Sequence, residues 1–172
     1  MAIRFNLARR KARELLKEAG IVEPPIPIEE LAKRTKGDIR YEPFRGELSG
    51  MRLAQANGSV IGVNALHPRV RQRFTIAHEI GHLLLHPDDA FHLDESLPIQ
   101  FRDQRSSTGK DETEVEANQF AAELLMPEEM VRRAVVPWIG KSAEDAIEDL
   151  AGKFEVSVQA MTIRLTALRF LR

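Results

Sequence analysis

The sequence predicts an α+β fold: a small antiparallel sheet packed on a buried helix, followed by a mostly helical C-terminal half. Three observations carry this reading. Short runs of β-formers are confined to residues 38–64. The segment from Pro68 to about His86 has helical spacing and is apolar around most of its circumference. From about residue 111 to the end, the periodic segments all repeat with helical spacing. A chain of 172 residues fits one to one and a half domains of about 150 residues and can bury a proper core.

The elements follow in chain order. Residues 6–19 form an amphipathic helix, with Leu7, Ala8, Ala12, Leu15, Leu16 and Ala19 on one side and Gly20 placed to stop it. Pro24-Pro25-Ile26-Pro27 is a stiff connector. Ile28 to Thr35 is a short helix ending near Gly37. Strands are expected at 38–44, 48–54 and 59–64, and Asn57-Gly58 is the hairpin signal between the last two. Pro68 opens the central helix and Pro87 closes it. Residues 87–110 have no clear period and are expected to form a long loop. Further helices are expected at 111–125, 127–135, 142–153 and 157–171. Residues 1–141 are taken as the main domain and 142–172 as a helical tail packed on it.

Composition narrows the chemistry. No cysteine is present, so disulfides, a thiol nucleophile and thiolate metal sites are excluded. Any metal must be held by imidazole and carboxylate, and the chain has five histidines. A net charge of −1 argues against a chain built mainly to bind polyanions. Arg4, Arg9, Arg10, Lys11 and Arg13 come without an acid among them and read as the solvated face of the first helix. No run approaches the ~18 apolar residues of a membrane span, and the start lacks the apolar stretch of a secretory signal. The cytoplasm is the expected compartment.

His78-Glu79-Ile80-Gly81-His82 has the HExxH spacing. Two imidazoles four residues apart share one helix face and can grip one ion, while Glu79, one step round, can reach a water beside it. The polar strip of this helix holds Arg71, Gln72, Thr75, His78, Glu79, His82 and His86. A solvent-facing strip is normally rich in Lys and Glu, and this one is not. A catalytic zinc needs a third protein ligand and an open position. His86 lies one turn past His82, where a straight helix carries it away. Asp88 would need Gly at Leu85 to turn the chain back. His92 falls in the unplaced loop. Glu114 is favoured: in helical projection it and Asn118 fall among Ala121, Ala122 and Leu125, opposite a stripe of Glu112, Glu116, Gln119 and Glu123. A carboxylate facing the core needs a positive partner, and a metal would provide it, with Asn118 orienting the carboxylate or a ligand imidazole. The set implies Glu79 as general base. Arg71, His86 and His92 are the candidates to stabilise the oxyanion.

The run Arg73–His82 and the run Glu114-Val115-Glu116-Ala117-Asn118-Gln119-Phe120-Ala121-Ala122-Glu123-Leu124-Leu125-Met126-Pro127 together resemble the ImmA/IrrE family of zinc metallopeptidases. The Pro-rich connector, Glu47-Leu48-Ser49-Gly50 and the Leu150–Leu171 stretch are also similar, so the resemblance spans nearly the whole chain. The family's HExxH maps onto His78, Glu79 and His82, and its ExxxN onto Glu114 and Asn118. The resemblance implies a gluzincin-like, zincin-like fold holding one Zn2+ per chain. It also implies a bacterial or phage regulatory protease that cuts a helix-turn-helix repressor, often encoded nearby, in stress response, transcription regulation or lysogeny. No sensor domain is expected within this length.

The remaining features are weighed beside that reading. Residues 59–64, with Val60, Gly62 and Asn64, are the candidate edge strand for binding substrate backbone, with His86 and His92 as further substrate contacts. Residues 142–172 could be a helix-turn-helix reader, but Leu165, Ala167, Leu168, Phe170 and Leu171 are too apolar for a groove-facing helix, so direct nucleic-acid binding is not expected. A zinc-holding, weakly active module that sequesters a partner is the other alternative. Trp138 reads as core or interface filler, and Asn57-Gly58-Ser59 matches a glycosylation pattern that has no meaning without export.

Overall fold

The structure, a computed structural model, describes residues 3–46, 48–95, 109–138 and 142–171. Helix α1 (Phe5–Glu18) buries Ala8, Ala12, Leu15 and Leu16. Helix α2 (Ile28–Arg34) has Glu29 and Glu30 in its first turn and Lys33 and Arg34 in its last, charges that suit the helix dipole. Four strands follow: β1 (Gly37–Glu42), β2 (Leu48–Gln55), β3 (Gly58–Asn64) and β4 (Phe91–Glu95). They form one sheet in the order β1-β3-β2-β4.

Two features of this sheet correct the sequence reading. The sheet is mixed, because β1 pairs parallel with β3 while β2 is antiparallel to both β3 and β4. The Asn57-Gly58 hairpin inserts β3 between β1 and β2, so the β1–β2 connection crosses the end of β3. Asn64 closes that crossing: its Nδ2 donates to the carbonyls of Leu48 (2.8 Å) and Phe44 (3.3 Å), and its Oδ1 accepts from Leu66 N–H (3.0 Å). The expected 87–110 loop contains β4, so residues 91–95 are sheet; residues 96–108 of that loop lie outside the described residues.

Helix α3 (Arg69–Leu85) lies between the sheet and helix α4 (Gly109–Leu125). Arg73, the one polar residue in its apolar arc, is buried and donates to the carbonyls of Ile26 (2.8 Å) and Glu155 (3.1 Å). Helices α5 (Glu128–Val135), α6 (Ala143–Phe154) and α7 (Val158–Ala167) complete the chain. Arg73 thereby pins the N-terminal connector and the α6–α7 turn to the HExxH helix. Ser142 and Ser157 cap α6 and α7 by accepting from Asp145 N–H (3.2 Å) and Ala160 N–H (3.1 Å). Leu150, Phe154, Met161 and Leu165 join the same buried cluster as Ala12, Ile26 and Ile76.

Helix α7 is shorter than its periodicity suggests. Arg169 takes a left-handed φ of 64°, and Phe170 N–H returns to the Leu165 carbonyl (2.9 Å), which stops the helix. Two acids of the polar stripe expected on α4 lie inside the fold. Glu116 and Glu123 are buried. Glu116 takes Arg4 (Nη2–Oε2 2.8 Å), and Glu123 takes Arg13 (2.7 Å) and Arg164. Arg164 also donates to the Met126 carbonyl (2.9 Å). Glu116 and Glu123 face α1 and α7, and they are covered because arginines meet them.

Candidate metal centre

The centre is built where α3, α4 and β4 meet. On α3, His78 and His82 are one turn apart, and their Nε2 atoms lie 3.0 Å from each other. Helix α4 approaches closely because position 81 is glycine: a Cβ there would sit 3.1 Å from Phe120 and 3.2 Å from the Ala117 backbone. That approach brings Glu114 to the imidazoles, with Oε2 3.3 Å from His78 Nε2 and Oε1 3.4 Å from His82 Nε2. One turn on, Asn118 Oδ1 accepts from His78 Nδ1 at 3.0 Å. The Nδ1–H therefore points at Asn118, and Nε2 is the nitrogen turned toward the cluster.

The sheet supplies the fourth group. Strand β2 can lie against α3 because Gly50 has no side chain; a Cβ there would sit 2.3 Å from Thr75 Cγ2 and 3.7 Å from Glu79 Oε1. Outside β2 runs β4, with His92 opposite Arg52. Arg52 is fully buried and donates to the Asp89 carbonyl (2.6 Å), which ties the α3–β4 connection to the sheet. His92 reaches inward. Its Nε2 lies 2.7 Å from Glu114 Oε1, its Nδ1 lies 3.2 Å from both oxygens of Glu79, and its ring stacks on His82 with centroids 3.7 Å apart.

His78, His82, His92 and Glu114 thus offer ligand atoms within 4.8 Å of one another, a group that could hold a metal ion. Bonds of about 2.0–2.2 Å in a tetrahedron separate ligand atoms by roughly 3.3–3.6 Å. The His78, His82 and Glu114 separations of 3.0, 3.3 and 3.4 Å lie close to that, and an imidazole–carboxylate set suits a borderline cation such as zinc. Glu79 and His82 are 0% exposed and His78 is 3% exposed, so a charge is held there away from bulk water.

The charges within the group are set by burial and by one another. Burial works against charge on Glu114, yet hydrogen bonds from His78, His82 and His92 hold its carboxyl well below the usual carboxylate range. Burial works against charge on His92 as well, but Glu114 and Glu79 carry its ring up to about 10. Burial, aided by the neighbouring imidazoles, takes His82 down to about 4. The carboxylates of Glu114 and Glu79 thus favour positive charge on His92, while His82 is held neutral.

Other sequence candidates lie elsewhere. Strand β3 is paired on both sides, so Val60, Gly62 and Asn64 offer no free edge for strand addition, and Asn64 is spent on the crossing. Gly62 is covered by Met51 and Phe44. His86 faces Glu116 (3.3 Å) rather than the cluster, Arg71 bonds Ser49 Oγ (3.2 Å), and Asp88 is exposed in the turn after α3. The open edge among the described strands beside the site is that of β4. Its alternation, Phe91 and Leu93 out and His92 and Asp94 in, was the signal for His92.

The fold and this centre define an α+β, zincin-like protein with a histidine–carboxylate group able to hold a metal. The family profile for Peptidase_M78, described as the IrrE N-terminal-like domain, matches residues 32–166, and the chain belongs to that family. Its function is of the metallopeptidase type. The chain is 30% identical over 147 residues to "Uncharacterized immunity region protein 2" of Bacillus phage phi105, covering 86% of this chain and 82% of the relative. A solved structure named "Mycobacterium tuberculosis transcriptional regulator" has the same fold, with a TM-score of 0.62 at 19% identity over 94% of this chain. The chain spans 46% of that protein's length. No helix among the described residues is long and apolar enough to cross a membrane.

Proposed function

We propose that the protein is a zinc-dependent endopeptidase whose substrate is a helix-turn-helix transcriptional repressor encoded nearby. The observation that supports this most is the convergence of His78, His82 and Glu114 beside the carboxylate of Glu79, in a family of the peptidase type. His78, His82 and Glu114 would hold one zinc ion, with Asn118 fixing the ring of His78. A bound zinc ion supplies a Lewis acid that acidifies water and polarises a carbonyl. Glu79 takes the proton of the attacking water and returns it to the leaving amine nitrogen, as the C–O bond forms and the peptide C–N bond breaks. The edge of β4 that is open among the described strands binds an extended substrate segment by main-chain pairing.

Two likenesses support the choice of substrate. The phage relative is named an immunity region protein, and the structural neighbour is named a transcriptional regulator. Cutting a repressor joins those themes and sets the reaction in the cytoplasm, in stress response or transcription regulation. The test is intact-mass spectrometry of the neighbouring repressor after incubation with the zinc-loaded chain. Two fragments summing to the repressor plus one water, and absent when a chelator is added, are expected. A repressor that is bound but stays whole would replace this reading with sequestration.

A further inference from the structure

The group that brings a fourth donor to the cluster also engages the proposed base, and this has a consequence for how the site works. His92 Nδ1 lies 3.2 Å from both oxygens of Glu79, while its Nε2 lies 2.7 Å from Glu114 Oε1, within the ligand group of His78 and His82. An imidazole that ligates through one nitrogen and donates its other N–H to a carboxylate is the usual arrangement of a ligand with its orienting partner. In that arrangement Glu79 supports His92 and engages its Nδ1–H through both oxygens. Three imidazoles and a carboxylate also fill a tetrahedron, the pattern of a closed rather than an open zinc site. Burial agrees: Glu79 is 0% exposed and His92 8%.

Resting on the metallopeptidase reading above, we propose that His92 is a displaceable fourth ligand that closes the resting site, occupying the open position and the base Glu79 at once. Withdrawal of this one side chain frees both. The mounting of His92 suits that task. His78 and His82 stand on a helix buried on both sides, whereas His92 stands on a five-residue strand that pairs, among the described strands, with β2 alone. That pairing already contains a register shift at Leu48/Gly50. Phe91 and Leu93, the neighbours of His92, are 51% and 37% exposed on the outer face. An extended segment that pairs with β4 therefore acts directly on the strand that carries the ligand, and substrate docking and site opening become one event.

The test is zinc K-edge X-ray absorption on the full chain loaded with one equivalent of zinc. Three imidazoles are expected for the wild type, and two imidazoles with one added oxygen for His92→Gln. Two imidazoles in the wild type, unchanged in His92→Gln, overturn the gate and leave the metallopeptidase reading standing. Failure to retain stoichiometric zinc overturns both. The wild-type count needs no variant, so a folding defect in His92→Gln does not leave the question open.

Discussion

Asn118 Oδ1 accepts a hydrogen bond from His78 Nδ1 at 3.0 Å, across the interface between the HExxH helix and α4. Asn118 is otherwise exposed, so its loss removes an orienting bond and little packing. Asn118→Ala should weaken zinc binding by about 10–100-fold while the melting temperature of the metal-free protein stays nearly unchanged. Competition against a chromophoric chelator, together with a thermal melt, checks both halves.

Gly81 sets the distance between the same two helices. A Cβ there meets the Ala117 backbone at 3.2 Å, and backbone cannot give way as a side-chain tip can. Gly81→Ala should cost about 1–3 kcal/mol through overpacking, partly offset by alanine's better helix propensity of up to about 1 kcal/mol. Glu114 would move away from the imidazoles, so zinc affinity should fall more than stability does. Urea unfolding and zinc competition separate the two effects.

Glu123 and Arg164 form a buried ion pair between α4 and α7, with side-chain exposures of 1% and 5%. Removing one partner of such a pair strands the other charge and costs about 3–5 kcal/mol. Arg13 also meets Glu123, so the variant that strands a charge is Glu123→Leu, which leaves buried Arg164 with the Met126 carbonyl alone. It should lower the melting temperature by roughly 10 °C or more and leave zinc affinity in the folded chain intact. Differential scanning calorimetry is the measurement.

Burial would raise the carboxyl of Glu116, but hydrogen bonds from Arg4 hold it below its ordinary value of 4.5. The unfolded chain therefore binds the proton more readily. The pair's contribution is present above pH 4.5 and is lost as pH falls through the lower folded value. Glu116→Gln should destabilise the metal-free protein at pH 7 and flatten the acid limb of its stability curve. Melts from about pH 7 down to about pH 3 check the sign.

Much of this site was legible from spacing. The four-residue period placed His78 and His82 on one face, and helical projection separated Glu114 and Asn118 from the other acids of their helix. What stayed hidden depends on contacts distant in sequence. The burial of Glu116 and Glu123 could not be read from their stripe, because their partners Arg4 and Arg13 lie 112 and 110 residues away. Strand β4 was missed because its alternation is inverted: the apolar Phe91 and Leu93 face out and the polar His92 and Asp94 face in. A reading that seeks an apolar face for the core passes over such a strand. The local hairpin signal at Asn57-Gly58 was sound, but nothing local reveals that β1 pairs with β3 from the far side.

The most direct measurement is the activity of Glu79→Gln against the repressor proposed as substrate, made beside its zinc content. Glutamine is nearly isosteric with the native glutamate but cannot take a proton. The account predicts full zinc occupancy with cleavage reduced by about 10²-fold or more. Cleavage by the zinc-loaded variant at the wild-type rate would contradict it.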